Sequence, residues 1–438
     1  MIVGKISIKN FGPVQNADID LDKGFQIFIG AQASGKSTIG KTIYFCNKIK
    51  DYTLDFMTDS AQFTQNHENE YFVNYMKYLK KQFMGCFGKT THMRQFMIKY
   101  EFGVNSISIQ LNENGYVRFL YNSALRNAVC SLIYDAAGMN KQLLYDVDID
   151  SIFGRVKARA VIKQELKERL SEIFEDNREI IYIPAGRSLL ATMSEQLHDF
   201  SIADMDLTMQ EFINLIGSTK SKFEVKIPDM VKEYTSTVKG QVNNVAIDQA
   251  YQLINRVLKA DYASETDGEK IYFDSHHWVK LMYGSSGQQE ALWILMLIFI
   301  SILENRKCFM VIEEPEAHLF PKAQNDILKL ISLFINITGS QVIVTTHSPY
   351  ILTSANILLY ADKVERRSDK SGKTIVPKNY RISFDKFAAY KVGASDNSVE
   401  TIIDMDTHMI ELDYIDEAST IINKDLDELM DLEIQNDM

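Results

Sequence analysis

FQIFIGAQASGKSTIG, residues 25–40, decides how the rest of the chain is read. Its first five residues form an apolar run of the kind found in strands buried on both faces of a parallel sheet. Gly30, Gly35, Lys36 and Ser37 then fall at the spacing GxxxxGK(S/T), and TIGKTIYFCNKI (38–49) carries apolar residues at helical intervals. Strand, glycine loop and helix in that order are the setting in which this motif cradles phosphate. Gly30, Ala31, Gln32, Ala33, Ser34, Gly35, Lys36, Ser37 and Thr38 therefore form the candidate nucleotide loop. Its N–H groups and the helix N-terminus face the phosphates, Lys36 reaches the β and γ phosphates, and Ser37 holds Mg²⁺.

A second stretch, FMVIEEPEAHLF (309–320), repeats the pattern of a buried strand leaving the core, here ending in two adjacent glutamates. Beside a phosphate loop, a carboxylate at a neighbouring strand end holds the water shell of Mg²⁺, and a second one deprotonates the attacking water. Glu313 is the candidate magnesium partner and Glu314 the candidate general base. EIIYIPAGRS (179–188) reads as another short buried strand entering a glycine turn, where Arg187 either reaches phosphate or pins the turn.

With 438 residues, 46% of them hydrophobic and 24% charged, the chain has the composition of an ordinary globular protein with a large core. The start, MIVGKISIKNFG, reads as a strand and lacks the features of a signal peptide. The longest apolar run, ALWILMLIFISIL (291–303), falls short of the roughly 18 residues a membrane span needs and reads as a core helix. No membrane partner is expected. Cys46, Cys86, Cys130 and Cys308 are scattered, without zinc or disulfide spacing, which points to a reducing, cytoplasmic setting. Residues 402–438 hold twelve acids against one lysine, so the formal charge of −11 resides there and residues 1–401 are neutral. A neutral body makes strong non-specific DNA binding less expected without excluding a local basic groove.

GAQASGKS, SSGQQE (285–290), IEEPEAHLFP and TTHSPYIL, in that order, resemble the ATP-binding-cassette-type ATPases of the SMC, RecF and OLD kind. The resemblance implies an α/β fold: an ABC-type P-loop ATPase head, with a parallel core sheet flanked by helices, an antiparallel β subdomain and helical insertions. It further implies ATP and Mg as ligands and a homodimer that sandwiches ATP, with higher oligomers left open. Ser285, Gly287 and Gln288 of SSGQ would then meet the ATP of the other subunit, and His347 would be the switch histidine beside the attacking water. Glu313 stands where most of that superfamily has Asp, a substitution also familiar among OLD-like ATPases. The pairing of YIPAGRS with SSGQQE resembles ATPases of bacterial anti-phage modules, which act beside a separate toxin or effector. Standing alone, SSGQQE would read as a serine helix cap, His347 as a structural histidine, and the glutamates as a solvated strand end.

The expected division is an ATPase lobe at 1–48 and 178–189, an insertion at 49–177, and helices at 190–266. The second part of the lobe follows at 267–365, and a β/α segment with an acidic tail at 366–438. Within the insertion, SISIQLNENGYVRFLY (106–121) signals a hairpin around Asn114-Gly115. Lys77, Lys80, Lys81, Lys89, Arg94 and Lys99, interleaved with aromatics and free of acids, form either a solvated, packing face or a nucleic-acid groove. Asp404 and Asp406 imitate the paired aspartates of OLD nucleases, but the space after His347 is tight for such a domain. An acidic docking surface or solvated tail is the preferred reading there. Rival functions are a DNA-maintenance ATPase of the RecF/SMC kind, a transporter ATPase subunit, and a nucleotide sensor with little turnover.

Overall fold

The computed structural model describes residues 4–59, 61–64, 70–145, 152–193, 204–237, 243–367, 375–393 and 398–411. The chain opens with strands β1 (Gly4–Phe11) and β2 (Val14–Asp20), an antiparallel pair, then β3 (Phe25–Ile29). β3 runs through residues 30–35 into helix α1 (Lys36–Thr58). Short α2 (Ala61–Thr64) and α3 (Tyr71–Phe87) precede a meander of β4 (Met97–Phe102), β5 (Asn105–Leu111) and β6 (Val117–Tyr121). Asn114-Gly115 forms the β5–β6 turn as the sequence predicts. β4 pairs with β1 from Gly4↔Phe102 to Lys9↔Met97, so these strands build one antiparallel sheet of order β2-β1-β4-β5-β6.

Helices α4 (Ser123–Tyr145) and α5 (Ile152–Ile173) lead into β7 (Glu179–Ile183) and short α6 (Ser188–Met193). Then come α7 (Leu207–Lys220), α8 (Ile227–Thr237) and α9 (Asn244–Leu258). A small sheet of β8 (Asp261–Glu265), β9 (Gly268–Tyr272) and β10 (Trp278–Lys280) precedes α10 (Ser286–Leu303). β11 (Cys308–Glu313), α11 (Pro321–Thr338), β12 (Gln341–Thr346) and α12 (Pro349–Arg367) complete the alternation. β13 (Phe387–Val392) and β14 (Val399–Thr401) close the core sheet, and a β-ribbon, Ile403–Asp404 with Met409–Ile410, follows.

The core sheet has the order β14-β13-β3-β12-β11-β7, parallel throughout except for β14. CFMVIE and QVIVTT are buried at every residue, as strands covered on both faces must be. Alternate side chains feed two cores: Met310 and Ile312 face the layer of α9–α12, and Phe309 and Val311 face α1, α3–α5 and the antiparallel sheet. This is the expected α/β layout of a parallel core with flanking helices and an antiparallel β subdomain.

α10 is the one described helix long and apolar enough to cross a membrane, yet Glu290–Leu303 are all buried in the core. All four cysteines are free thiols. In the last ribbon, Asp404 accepts from the N–H groups of Asp406 and Thr407 and so shapes a turn. The acidic tail beyond residue 411 lies outside the described residues. Of the basic stretch, Lys77, Lys81, Lys89 and Arg94 are exposed, Lys80 lies over the Tyr116 ring, and Lys99 pairs with Glu101.

Candidate active site

Sheet register assembles the site. Ile29 pairs with Thr346, Thr345 with Glu313, and Ile312 with Ile183. The residues that follow, Gly30, His347, Glu314 and Pro184, therefore leave the sheet at one edge, outside the carboxyl ends of the parallel strands, where open α/β sheets bind ligands.

The nucleotide loop ends at Gly35, whose φ of 107° is open to glycine and strained for any residue with a Cβ. Gly35 caps α1 without a side chain, and the first turn of the helix holds no acid. Its free N–H groups are thus presented to an anion, with Ser37 exposed beside them. Lys36 is buried and folds back over the loop, donating to the carbonyls of Gly30 (2.9 Å) and Ala31 (2.8 Å). Burial lowers its pKa, and Glu314, Glu316 and Glu313 oppose that shift. A lysine surrounded by carbonyl oxygens, a bare helix N-terminus and a nearby acidic group fit a nucleoside polyphosphate with its divalent cation.

Glu313 accepts the N–H of Ala185 at 3.2 Å through Oε2, while its buried Oε1 has no hydrogen-bond partner among the described residues. An orphaned carboxylate oxygen in this position suits a ligand role toward hydrated Mg²⁺. Burial, with the Glu313 carboxylate adding to it, pushes the pKa of the Tyr182 phenol well up.

Glu314 sits at φ 43°, bonded through its N–H to Thr345 O at 2.8 Å. Its Oε1 lies 3.3 Å from His347 Nε2, and His347 Nδ1 lies 3.4 Å from Lys36 Nζ. The Glu314 and His347 side chains are each 37% exposed, so a water has access to both. Lys36, His347 and Glu314, separated by up to 311 residues, form a continuous row at the mouth of the loop.

Two further residues complete the arrangement. Glu316 is buried and accepts from Thr346 Oγ1 (2.6 Å) and from the His347 N–H (2.8 Å), fixing the backbone that carries His347. Its place as the third glutamate of EEPE is the only trace in sequence. Arg187 is 0% exposed and donates to the carbonyls of Pro184, Glu313, Glu314 and Glu290. Of its two readings it takes the structural one, pinning the turn and not reaching the phosphate mouth.

Burial raises the Glu316 pKa. A carboxyl raised in the folded state carries no penalty below its unfolded pKa and destabilises as pH rises through its folded pKa. Glu316→Gln keeps an acceptor for Thr346 and His347 and removes that charge. Its melting temperature is expected to equal or exceed that of wild type at neutral pH, with a flatter pH dependence and phosphate release within about threefold. Glu316→Ala removes both bonds and is expected to lose about tenfold or more in phosphate release, at about 1 kcal/mol per bond. Melting curves across pH and a phosphate-release assay check both variants.

Ser285, Gly287 and Gln288 lie elsewhere. Ser285 caps α10 in a reciprocal capping box with Gln288, so SSGQ is a true helix N-terminus. A Cβ on Gly287 would stand 2.8 Å from the His318 carbonyl, so only glycine permits that approach. These residues line a cavity of about 1170 Å³ with Arg256, Lys259, Lys322, Tyr283 and Phe320. None of residues 30–38 lines it. Within one chain this cavity is therefore not formed by the candidate nucleotide loop.

Residues 1–352 match the family model described as AAA ATPase domain. No curated protein matches the sequence. Among solved structures, the chain is similar to an SMC head bound to the C-winged helix domain of ScpA. That likeness has 13% identity, covers 92% of this chain and 96% of that one, and has a TM-score of 0.42. It is also similar to the SMC head domain from Thermotoga maritima, at 11% identity, 92% and 98% coverage and a TM-score of 0.35. The phosphate loop, the paired strand-end glutamates and the histidine facing them all lie within the matched span, and the chain belongs to the AAA ATPase domain family.

Proposed function

We propose that the chain is a Mg²⁺-dependent ATPase that closes in pairs around ATP and passes the state of that site to a separate partner protein. The observation that carries the reading is the separation of two incomplete half-sites in one chain. Lys36, Glu314 and His347 meet at the nucleotide loop, while Ser285–Gln288 line another cavity. Two chains related by a two-fold axis complete both halves at once, as a self-complementary interface requires.

In this reading the loop N–H groups, the N-terminus of α1 and Lys36 bind the phosphates. Ser37, and Glu313 through water, hold Mg²⁺, which neutralises charge on the phosphates when bound. Glu314 takes the proton of the attacking water, with His347 orienting that water from the other side. Ser285, Gly287 and Gln288 contact the nucleotide of the opposite chain.

Helix α7 is tied to α1 by Lys41–Asp206 (3.3 Å) and by Tyr44 donating to Glu211, which gives closure at the loop a route to the helices at 204–258. A cytoplasmic role beside an effector in anti-phage defence extends the reading and rests on the motif pairing YIPAGRS with SSGQQE. The exposed Lys77, Lys81, Lys89 and Arg94 favour a second reading, a DNA-maintenance ATPase. Several-fold stimulation of turnover by duplex DNA would select it.

Phosphate release by purified chain is expected to require Mg²⁺ and to rise per chain with chain concentration until pairing saturates. A rate per chain that is constant on dilution and indifferent to EDTA would count against the proposal.

A further inference from the structure

The residues assigned to the opposite chain's nucleotide and the residue assigned to activate water stand on different elements, α10 and the end of β11. One buried arginine joins them. The Arg187 N–H donates to Glu290 Oε2 at 3.1 Å, the Ser188 N–H to Glu290 Oε1 at 3.0 Å, and Arg187 Nε to the Glu290 carbonyl at 2.6 Å. On its other edge the same guanidinium donates through Nη1 to Glu313 O at 2.7 Å and through Nη2 to Glu314 O at 2.9 Å. Glu290 ends the run SSGQQE, in the second turn of the helix that Ser285 caps.

A guanidinium is planar, with donors in a fixed fork, so it cannot follow α10 on one edge and β11 on the other without moving as a unit. Arg187 is fully buried and Glu290 nearly so, which leaves no water to replace a broken bond. Although burial opposes it, Arg187 and the N–H groups of Ser188 and Arg187 hold the Glu290 carboxyl below its ordinary range, so the contact is ionic. At the far end, Glu314 holds a φ of 43°, a conformation that persists in a non-glycine residue only where its surroundings dictate it. The bonds from its N–H to Thr345 O and from the Arg187 guanidinium to its carbonyl are those surroundings.

We propose that Arg187 and Glu290 are positioning residues that link a chain's own SSGQ segment to its own Glu314, so that the two nucleotide sites of a pair fire together and not independently. This rests on the paired-ATP reading above. An SSGQ segment seated on the opposite nucleotide fixes the start of α10, and through Arg187 fixes the carbonyl and carboxylate of Glu314 in the same chain. A chain whose SSGQ is not seated leaves its base misaligned even when its own ATP is fully enclosed.

The test uses mixed pairs, purified through two different tags, of one wild-type chain and one Ser285→Arg chain. In such a pair one site is complete: the loop of the variant chain with the SSGQ of the wild-type chain. Independent sites give about half the wild-type rate per pair. Linked sites give less than about one-tenth. A rate near half overturns the link.

Glu290→Gln in both chains supplies a second reading without blocking the interface. Expected is a kcat about tenfold lower with unchanged KM for ATP and unchanged ATP-driven pairing. An unchanged kcat, or loss of pairing and melting temperature in parallel with kcat, overturns the assignment. The two failures are separable, because wild-type chains that do not pair with ATP refute the sandwich itself, whereas wild-type chains that pair while the mixed pair runs at half rate refute only the link.

Discussion

Glu314→Gln is expected to lower phosphate release by about 10²–10⁴-fold, the range assigned to a general base, while ATP-driven pairs persist longer than in wild type. Glutamine keeps the length and the approach to His347, 3.3 Å away, but cannot take a proton from water. Residue 314 is held through its own N–H and carbonyl, by Thr345 O and the Arg187 guanidinium, so the substitution leaves the strand end intact. Binding and chemistry should therefore separate. Phosphate release measures the chemistry and light scattering the lifetime of the pair. A variant with wild-type turnover would remove Glu314 from its role and leave the neighbouring Glu313 as the remaining candidate.

Lys36→Met is expected to abolish measurable ATP-dependent pairing and to weaken nucleotide binding by one to two orders of magnitude, since hydrogen bonds to charged groups contribute about 1.5–3 kcal/mol. The ammonium holds the Gly30 and Ala31 carbonyls and faces His347, so it shapes the loop and stands where it would meet the proposed phosphates. Folding should survive, because methionine fills the buried stem without a stranded charge. Titration with a fluorescent ATP analogue reads the binding, and the melting temperature without nucleotide reads the fold. Wild-type affinity in a folded variant would exclude the loop as the phosphate site.

How far the sequence disclosed the molecule follows from the range of each signal. The β3–loop–α1 unit is a local motif, and every residue that defines it lies within 34 positions of Phe25, so spacing alone identifies it. β11 and β12 are apolar runs whose burial on both faces needs no partner to be inferred, and α10 is apolar all round because it packs on all sides. The helix cap at Ser285 and the motif role of SSGQ looked like alternatives in sequence. In the structure Ser285 caps α10, and the cap is compatible with the role proposed for the motif.

The rest depends on contacts distant along the chain. MIKYEF at 97–102 alternates buried and half-buried residues as a strand should, yet one of its two partners is the first strand, about ninety residues earlier, and its lysine drew it into a basic run. FAAYKV joins β3 as its second neighbour only once the chain has crossed the whole domain. Glu316 and Glu290 carry ordinary side chains in motif positions. Their roles come from Thr346, His347 and Arg187, which tertiary packing alone brings to them. Arg187 had two equal readings, because a cation near a phosphate site and a cation buried beneath one read the same in sequence. Burial decides between them.

The proposed pair holds ATP between two copies of this chain. The measurement that meets it most directly is the molar mass of the wild-type and Glu314→Gln chains by light scattering, with and without ATP and Mg²⁺, with bound nucleotide counted in the same fractions. The expected result is a doubling of mass on adding ATP and Mg²⁺, transient in wild type and lasting in Glu314→Gln, with two nucleotides per pair. A mass that stays that of one chain while ATP is bound and hydrolysed would contradict it.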